Sequence, residues 1–240
     1  MKTETLRKMK NYRKIIKISL WIFLGLITKH GMAQGEYIEV RDLETWSSVN
    51  LKYKVNKIWK MSFQGQLRLE NNSSEVSQYF GQYDLTYSPF KHFAFAGALR
   101  YVRKNDNTGN VQGYENHFRY HLDGIFKHKS KRFKFKYRVR YQNKNELGVE
   151  DEARQYIRLK AGAEYNIRKW KLDPEVSSEL FNRLGTEDNQ LEGYRLTLGT
   201  SFKVHTAGKI GVFYRYEEEL NASFPKSRNI IGFKYTYSLK

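Results

Sequence analysis

The sequence predicts an all-β protein, an up-and-down antiparallel β-barrel of about twelve strands. Three observations predict it. From residue 44 onward, segments of 10–14 residues alternate in character with a period of two, the mark of a strand with two unlike faces. The breaks between them alternate short and long, as a meander with tight turns at one end and surface loops at the other would give. The composition suits strands throughout, with 18 Tyr and 15 Phe against 3 Pro in 240 residues.

Taken in order, Tyr37-Ile-Glu-Val-Arg41 is a short, weakly patterned candidate for a first strand. Eleven clear segments follow, at 44–55, 59–70, 77–87, 92–103, 114–127, 132–143, 152–166, 169–181, 192–204, 208–218 and 228–240. In the second of these, Trp59, Met61, Phe63, Gly65, Leu67 and Leu69 form one face. Lys60, Ser62, Gln64, Gln66, Arg68 and Glu70 form the other. The sixth repeats the pattern, with Phe133, Phe135, Tyr137, Val139 and Tyr141 against Lys134, Lys136, Arg138, Arg140 and Gln142. Short connections fall at 55–58, 88–91, 127–131, 167–168 and 205–207, and long ones at 71–76, 104–113, 144–151, 182–191 and 219–227. An even barrel with both termini at the short-turn end requires a strand before residue 44. Residues 34–43 are then either a short N-terminal segment or that strand, and 44–240 are the barrel. Ten or twelve strands fit, and twelve is expected.

The N-terminus reads as a Sec-type signal peptide over 1–33. A basic stretch to Lys17 precedes the apolar run Ile18–Ile27, and Gly31-Met32-Ala33 offers a small-residue cleavage site before Gln34. Ten apolar residues are too few for a helix crossing a bilayer, which needs roughly 20. The chain carries 43 Lys+Arg and 25 Asp+Glu. Removing the eight basic residues and one acid of 1–33 leaves a net charge of +11. Anionic lipids or solutes are therefore plausible partners. The aromatic pattern argues against nucleic acid. With no Cys in the chain, disulfides, thiolate metal sites and a lipidated N-terminal Cys are excluded.

Alternation alone does not say which face is wet. Four features favour apolar-out, a barrel in the outer membrane of a Gram-negative cell. The segments are long enough to cross a bilayer at a tilt, whereas soluble strands average nearer ~5–6 residues. Aromatics sit at segment ends, where Trp59, Phe93, Phe133 and Trp170 each follow a short turn and suit the membrane interface. The apolar faces mix Gly and Ala with Leu and Tyr, a poor filling for a core. An export signal precedes them.

The opposite face then lines the lumen. Its basic residues include Arg100, Lys134, Lys136, Arg138, Arg140, Arg154, Arg158, Lys160, Arg195 and Arg215. Its acidic residues include Glu115, Asp123, Glu164, Asp173, Glu175, Glu179 and Glu217. Two readings stay open: a lumen plugged by paired charges, which is favoured, or an anion-selective path. The short turns are basic (Lys54, Lys57, Lys91, Lys129, Lys131) and the long loops acidic (Glu146, Glu150, Asp151, Glu187, Glu219). These are solvated rims, or rims facing phospholipid phosphates and cation-bridged lipopolysaccharide.

No residue set declares an enzyme, a cofactor or a metal. His117 and His121 share the charged face, but four strand residues separate them by about 13 Å, too far to share a metal. Ser177 lies on another hairpin.

The opening Glu44-Thr-Trp46, followed by a strand, a tight turn and a second strand from Trp59, resembles a family called domain of unknown function 2490, over roughly 44–240. The resemblance implies an outer-membrane barrel of Bacteroidetes-type bacteria, and the Gln after the cleavage site fits such bacteria. It implies no catalytic or binding residues. The last segment, with Gly232, Tyr235 and Tyr237, resembles the C-terminal signal read by the barrel-assembly machinery.

The sequence thus predicts an exported barrel among phospholipid and lipopolysaccharide, of unspecified oligomeric state, with a structural role or one in passage or binding of a small solute. The alternatives are a lipid-modifying acyl hydrolase or transferase, or a secreted soluble barrel that holds an apolar ligand.

Overall fold

The computed structural model describes residues 40–106, 112–150, 153–168, 170–185, 190–204, 208–222 and 224–239. The expected signal peptide and residues 34–39 lie outside them, as do the rim residues Asp151 and Glu187. Eleven strands follow one another: β1 Val40–Lys54, β2 Trp59–Glu70, β3 Glu75–Tyr87, β4 Phe93–Asp106, β5 Gly113–Ser130, β6 Phe133–Glu146, β7 Arg154–Tyr165, β8 Asp173–Leu184, β9 Leu191–Val204, β10 Gly208–Glu219 and β11 Lys226–Leu239. Each corresponds to one of the eleven segments read from the alternation.

Every strand pairs with its sequence neighbours, antiparallel, and β1 closes the barrel on β11 in parallel. This corrects the expected twelve. The parallel register runs unbroken from Val40↔Lys226 to Tyr53↔Leu239, so among the described residues no edge is left for a further strand to cover. Val40 and Arg41, the tail of the expected first strand, simply lengthen β1. The described chain therefore starts at the long-loop end and finishes at the short-turn end.

The asymmetry of the two ends is present but not strict. Connection 71–74 is as short as 55–58, and 166–172 is as long as 147–153. Side-chain caps explain both tight turns. The Asp42 carboxylate accepts from the Asn71 and Asn72 amides at 3.2 and 2.9 Å. Asn56 Oδ1 accepts from those of Ile58 and Trp59 at 2.9 and 2.8 Å. At 166–172, Asn166 Nδ2 donates to Asp173 Oδ1 at 3.0 Å and bridges the turn, so β8 starts at Asp173 and not at residue 169. Trp170 consequently lies in the connection, 59% exposed, and not on a strand end.

The barrel is apolar outside and charged inside. Leu122 is 60% exposed and Leu198 59%, while His121 and Glu179 retain only 1% and 3%. Phe63, Leu99, Val139, Leu159, Val176 and Val212 continue the outer surface over the other strands. At the short-turn end three cross-strand aromatic pairs edge this belt: Trp59–Tyr87 at 4.6 Å between ring centroids, Phe93–Phe126 at 4.9 Å and Phe133–Tyr165 at 4.8 Å. Toward the loops Tyr79–Tyr114, Tyr120–Tyr141 and Tyr194–Tyr216, at 6.2–6.3 Å, form a second edge.

Candidate functional site: the charged interior

Because side chains alternate along each strand, the inward parity of all eleven strands meets inside the closed wall. The meeting is organised as a ring. Arg140 grips Asp123 through Nε at 2.6 Å and Nη2 at 2.8 Å across β5–β6. Arg158 donates to Gln142 Oε1 at 2.8 Å across β6–β7, and to Glu179 across β7–β8. Glu179 also takes Arg138 and, at 3.6 Å, Arg195. Arg195 Nε donates to Glu217 at 2.7 Å, and Glu217 receives Arg228 Nη1 at 2.9 Å. Arg228 Nε reaches Glu44 at 3.3 Å across the parallel seam, and Glu44 accepts the Trp46 indole N–H at 2.7 Å.

Stacking carries the ring onward where carboxylates stop. The Arg68 guanidinium lies 3.6 Å from the Trp46 ring centroid and 5.4 Å from that of Phe80, and Arg100 lies 3.5 Å from Phe80 on the other side. Arg100 Nε donates to Gln82 at 2.6 Å. Contacts of this ring thus cross every strand–strand seam except β4–β5. There Arg100 faces Arg119 directly, and the seam is bridged higher up by Lys104–Glu115 at 3.1 Å. Beside that gap His121 is buried with neither ring nitrogen hydrogen-bonded among the described residues, and Arg119 Nε is likewise without an acceptor among them.

Arg100, Arg140, Arg158 and Glu179 of this ring are all buried. Toward the short-turn end the interior opens into a cavity of about 850 Å³. Phe213, Arg138, Arg215 and Thr197 lie on its inner side, while Lys91 and His92, from connection 88–92, lie at its mouth. Gly232 lies under the Phe213 ring, in space that a Cβ could not share, and Gly162 sits against Ser177.

The lumen residues read from the sequence occupy this interior. Arg100, Arg138, Arg140, Arg158, Arg195, Asp123 and Glu179 belong to the ring, while Lys134, Lys136, Lys160, Arg215, Glu164 and Glu175 line the cavity. Glu115 lies nearer the loops, and Arg154 is exposed at that end. Missed were Arg68, Arg119, Arg228 and Glu44, which share the inward parity and could have been listed by it. Also missed were Trp46, Phe80, Phe181 and Phe213, aromatics that turn inward and stack with arginines. Alternation of apolar with polar hides these.

A match to the model of a family described as a protein of unknown function, DUF2490, covers residues 43–228. The chain belongs to that family. No curated protein matches it. The matched span starts beside Glu44 and ends at Arg228, the two residues whose ion pair joins β1 to β11.

Of the other groups in this DUF2490 barrel, Glu115, His117 and Glu146 each offer a ligand atom within 4.8 Å of the others. The trio has a metal-site composition, and the Lys104 ammonium already sits on Glu115 at 3.1 Å. His117 bonds Glu115 at 3.0 Å. Ser177 lines the cavity and His121 the ring. Neither histidine hydrogen-bonds to Ser177 among the described residues.

Proposed function

We propose that this DUF2490 protein is an outer-membrane barrel, delivered by a cleaved signal peptide and inserted by the barrel-assembly machinery, that spans the bilayer without forming an open pore. Its role is structural or the binding of a small solute, and it carries no catalytic site. One observation carries the reading: an exposed apolar belt, edged by aromatic pairs, surrounds a closed wall whose interior is charged. A soluble barrel has the opposite polarity, with apolar side chains inside. On β4 the belt runs over nine residues from Phe93 to Tyr101, about 26 Å along the strand at the usual rise. Tilt reduces that height, and it remains comparable with the ~25 Å apolar band of such barrels. In lipid, backbone groups must be paired within the wall, and the complete ladder meets that requirement.

The charged ring supports a blocked lumen. The lysines of the short turns support apposition to phospholipid phosphates on that side, which makes it the periplasmic side. The test is a semi-native gel of detergent-extracted envelope, with and without boiling. A heat-dependent mobility shift in the outer-membrane fraction is expected. A band confined to the soluble fraction, with no shift, would overturn the reading.

A further inference from the structure

The cavity at the short-turn end is strongly unbalanced in charge. Nine Lys and Arg side chains line it against two carboxylates, Glu164 and Glu175. Glu164 is already held by Lys134, and Arg138 is committed to Glu179. Lys127, Lys136, Lys160 and Lys234 make no ion pair within 4 Å among the described residues. Glu175 attracts Lys234 from farther away. Lys52, on the facing wall, is repelled by Lys234, Lys209, Lys60 and Lys127. In the ring, by contrast, Glu179 holds three guanidiniums and Glu217 two. One end of the barrel therefore concentrates like charge around open space, an arrangement that draws in and holds counter-charge.

We propose that this cavity is a binding site for a small soluble polyanion carrying two or more phosphate groups, which enters from the short-turn end. The inference rests on the reading of a barrel blocked at mid-height, since the ring makes the cavity blind. Lysines are point charges on flexible stems and can follow phosphates spaced along a chain. The volume suits a ligand of nucleotide size or smaller, because pockets for small molecules begin at about 300 Å³. Thr197 and Ser177, on the inner wall, add hydroxyl partners.

The test uses the mature barrel purified in detergent and inorganic tripolyphosphate as probe, followed by titration calorimetry. Saturable binding near one per barrel is expected, falling steeply with added salt. The double variant Lys136→Gln/Lys160→Gln should weaken it by about ten-fold or more. The charge-matched variant Arg103→Gln/Arg154→Gln, at the opposite end, should leave it within about two-fold. Should the first variant not fold, amine acetylation of the native protein gives the answer by mass spectrometry. Tripolyphosphate should protect Lys136, Lys160 and Lys234, and leave Lys57 reactive.

Absence of saturable binding, or equal weakening in both variants, would overturn the proposal. Displacement of the probe by mixed micelles of anionic phospholipid would also overturn it, by assigning the lysines to lipid headgroups. A gel shift on boiling, run on the same samples, separates the cases. Shift without binding refutes the site alone, and loss of the shift refutes the barrel reading beneath it.

Discussion

Arg158 places two donors on one oxygen of Glu179 across the β7–β8 seam, Nε at 3.0 Å and Nη2 at 2.8 Å. The pair is diagonal, since Arg158 is in register with Phe181 and Glu179 with Lys160. Arg138 and Arg195 approach the same carboxylate from β6 and β9. One acid thereby joins four strands, and its loss leaves the buried Arg158 guanidinium and the half-buried Arg138 without their shared carboxylate.

Glu179→Gln should therefore destabilise the folded barrel by about 3–5 kcal/mol, the usual cost of removing one partner from a buried charge network. The measurement is the urea midpoint of refolded protein, followed by tryptophan fluorescence. Glu150→Gln, in connection 147–153 and exposed, should leave the midpoint unchanged.

Phe213 and Gly232 face each other across β10–β11, and the ring occupies the space a Cβ would need. Gly232→Val should cost about 1–3 kcal/mol by overpacking. Phe213→Ala should cost stability by itself yet remove most of the penalty of Gly232→Val. A double-mutant cycle on unfolding midpoints measures that coupling, and strict additivity would contradict the contact.

His121 is buried with neither ring nitrogen hydrogen-bonded among the described residues, Nε2 lying 4.0 Å from Asp123. Replacing a group whose hydrogen bonds are unmade removes a penalty and not a bond. His121→Leu should accordingly unfold at the same temperature as the parent or higher. A large loss of stability would mean that the imidazole has a partner.

The eleven strands were legible because period-two alternation persists over 10–14 residues in each. The inward parity was legible as well: Arg100, Arg138, Arg140, Arg158, Arg195, Asp123 and Glu179, read from that parity, lie in the ring, while Arg154 is exposed. Closure was not. Parity of the count assumed both termini at one end, and the parallel β1–β11 pairing that relaxes this requirement leaves no mark in either strand taken alone. The aromatic half of the ring was hidden for another reason. A Trp or Phe among polar neighbours reads as belonging to the apolar face, but Trp46 and Phe80 lie flat against arginines. The cavity is lined from β5, β6, β7, β8, β9, β10 and β11 together, a relationship that exists only once the strands are in register. Trp170 shows the limit at strand ends, where Asn166 and Asp173 set the turn and the alternation does not.

The ring also bears on transport. With arginine pairs and stacked rings across the middle of the lumen, the protein reconstituted in a planar bilayer should show no steady conductance above that of the lipid. Discrete, long-lived open steps would contradict a blocked interior.

The central claim is that the exposed belt faces hydrocarbon, and the absence of Cys from the chain permits a direct measurement. Leu122→Cys on the outer face and Lys136→Cys in the cavity are each labelled with an environment-sensitive fluorophore, and the proteins are reconstituted into bilayers of lipid brominated along the acyl chains. Strong quenching at position 122 with little at 136 is the result the account expects. Equal quenching at the two positions, or none at 122, would contradict it.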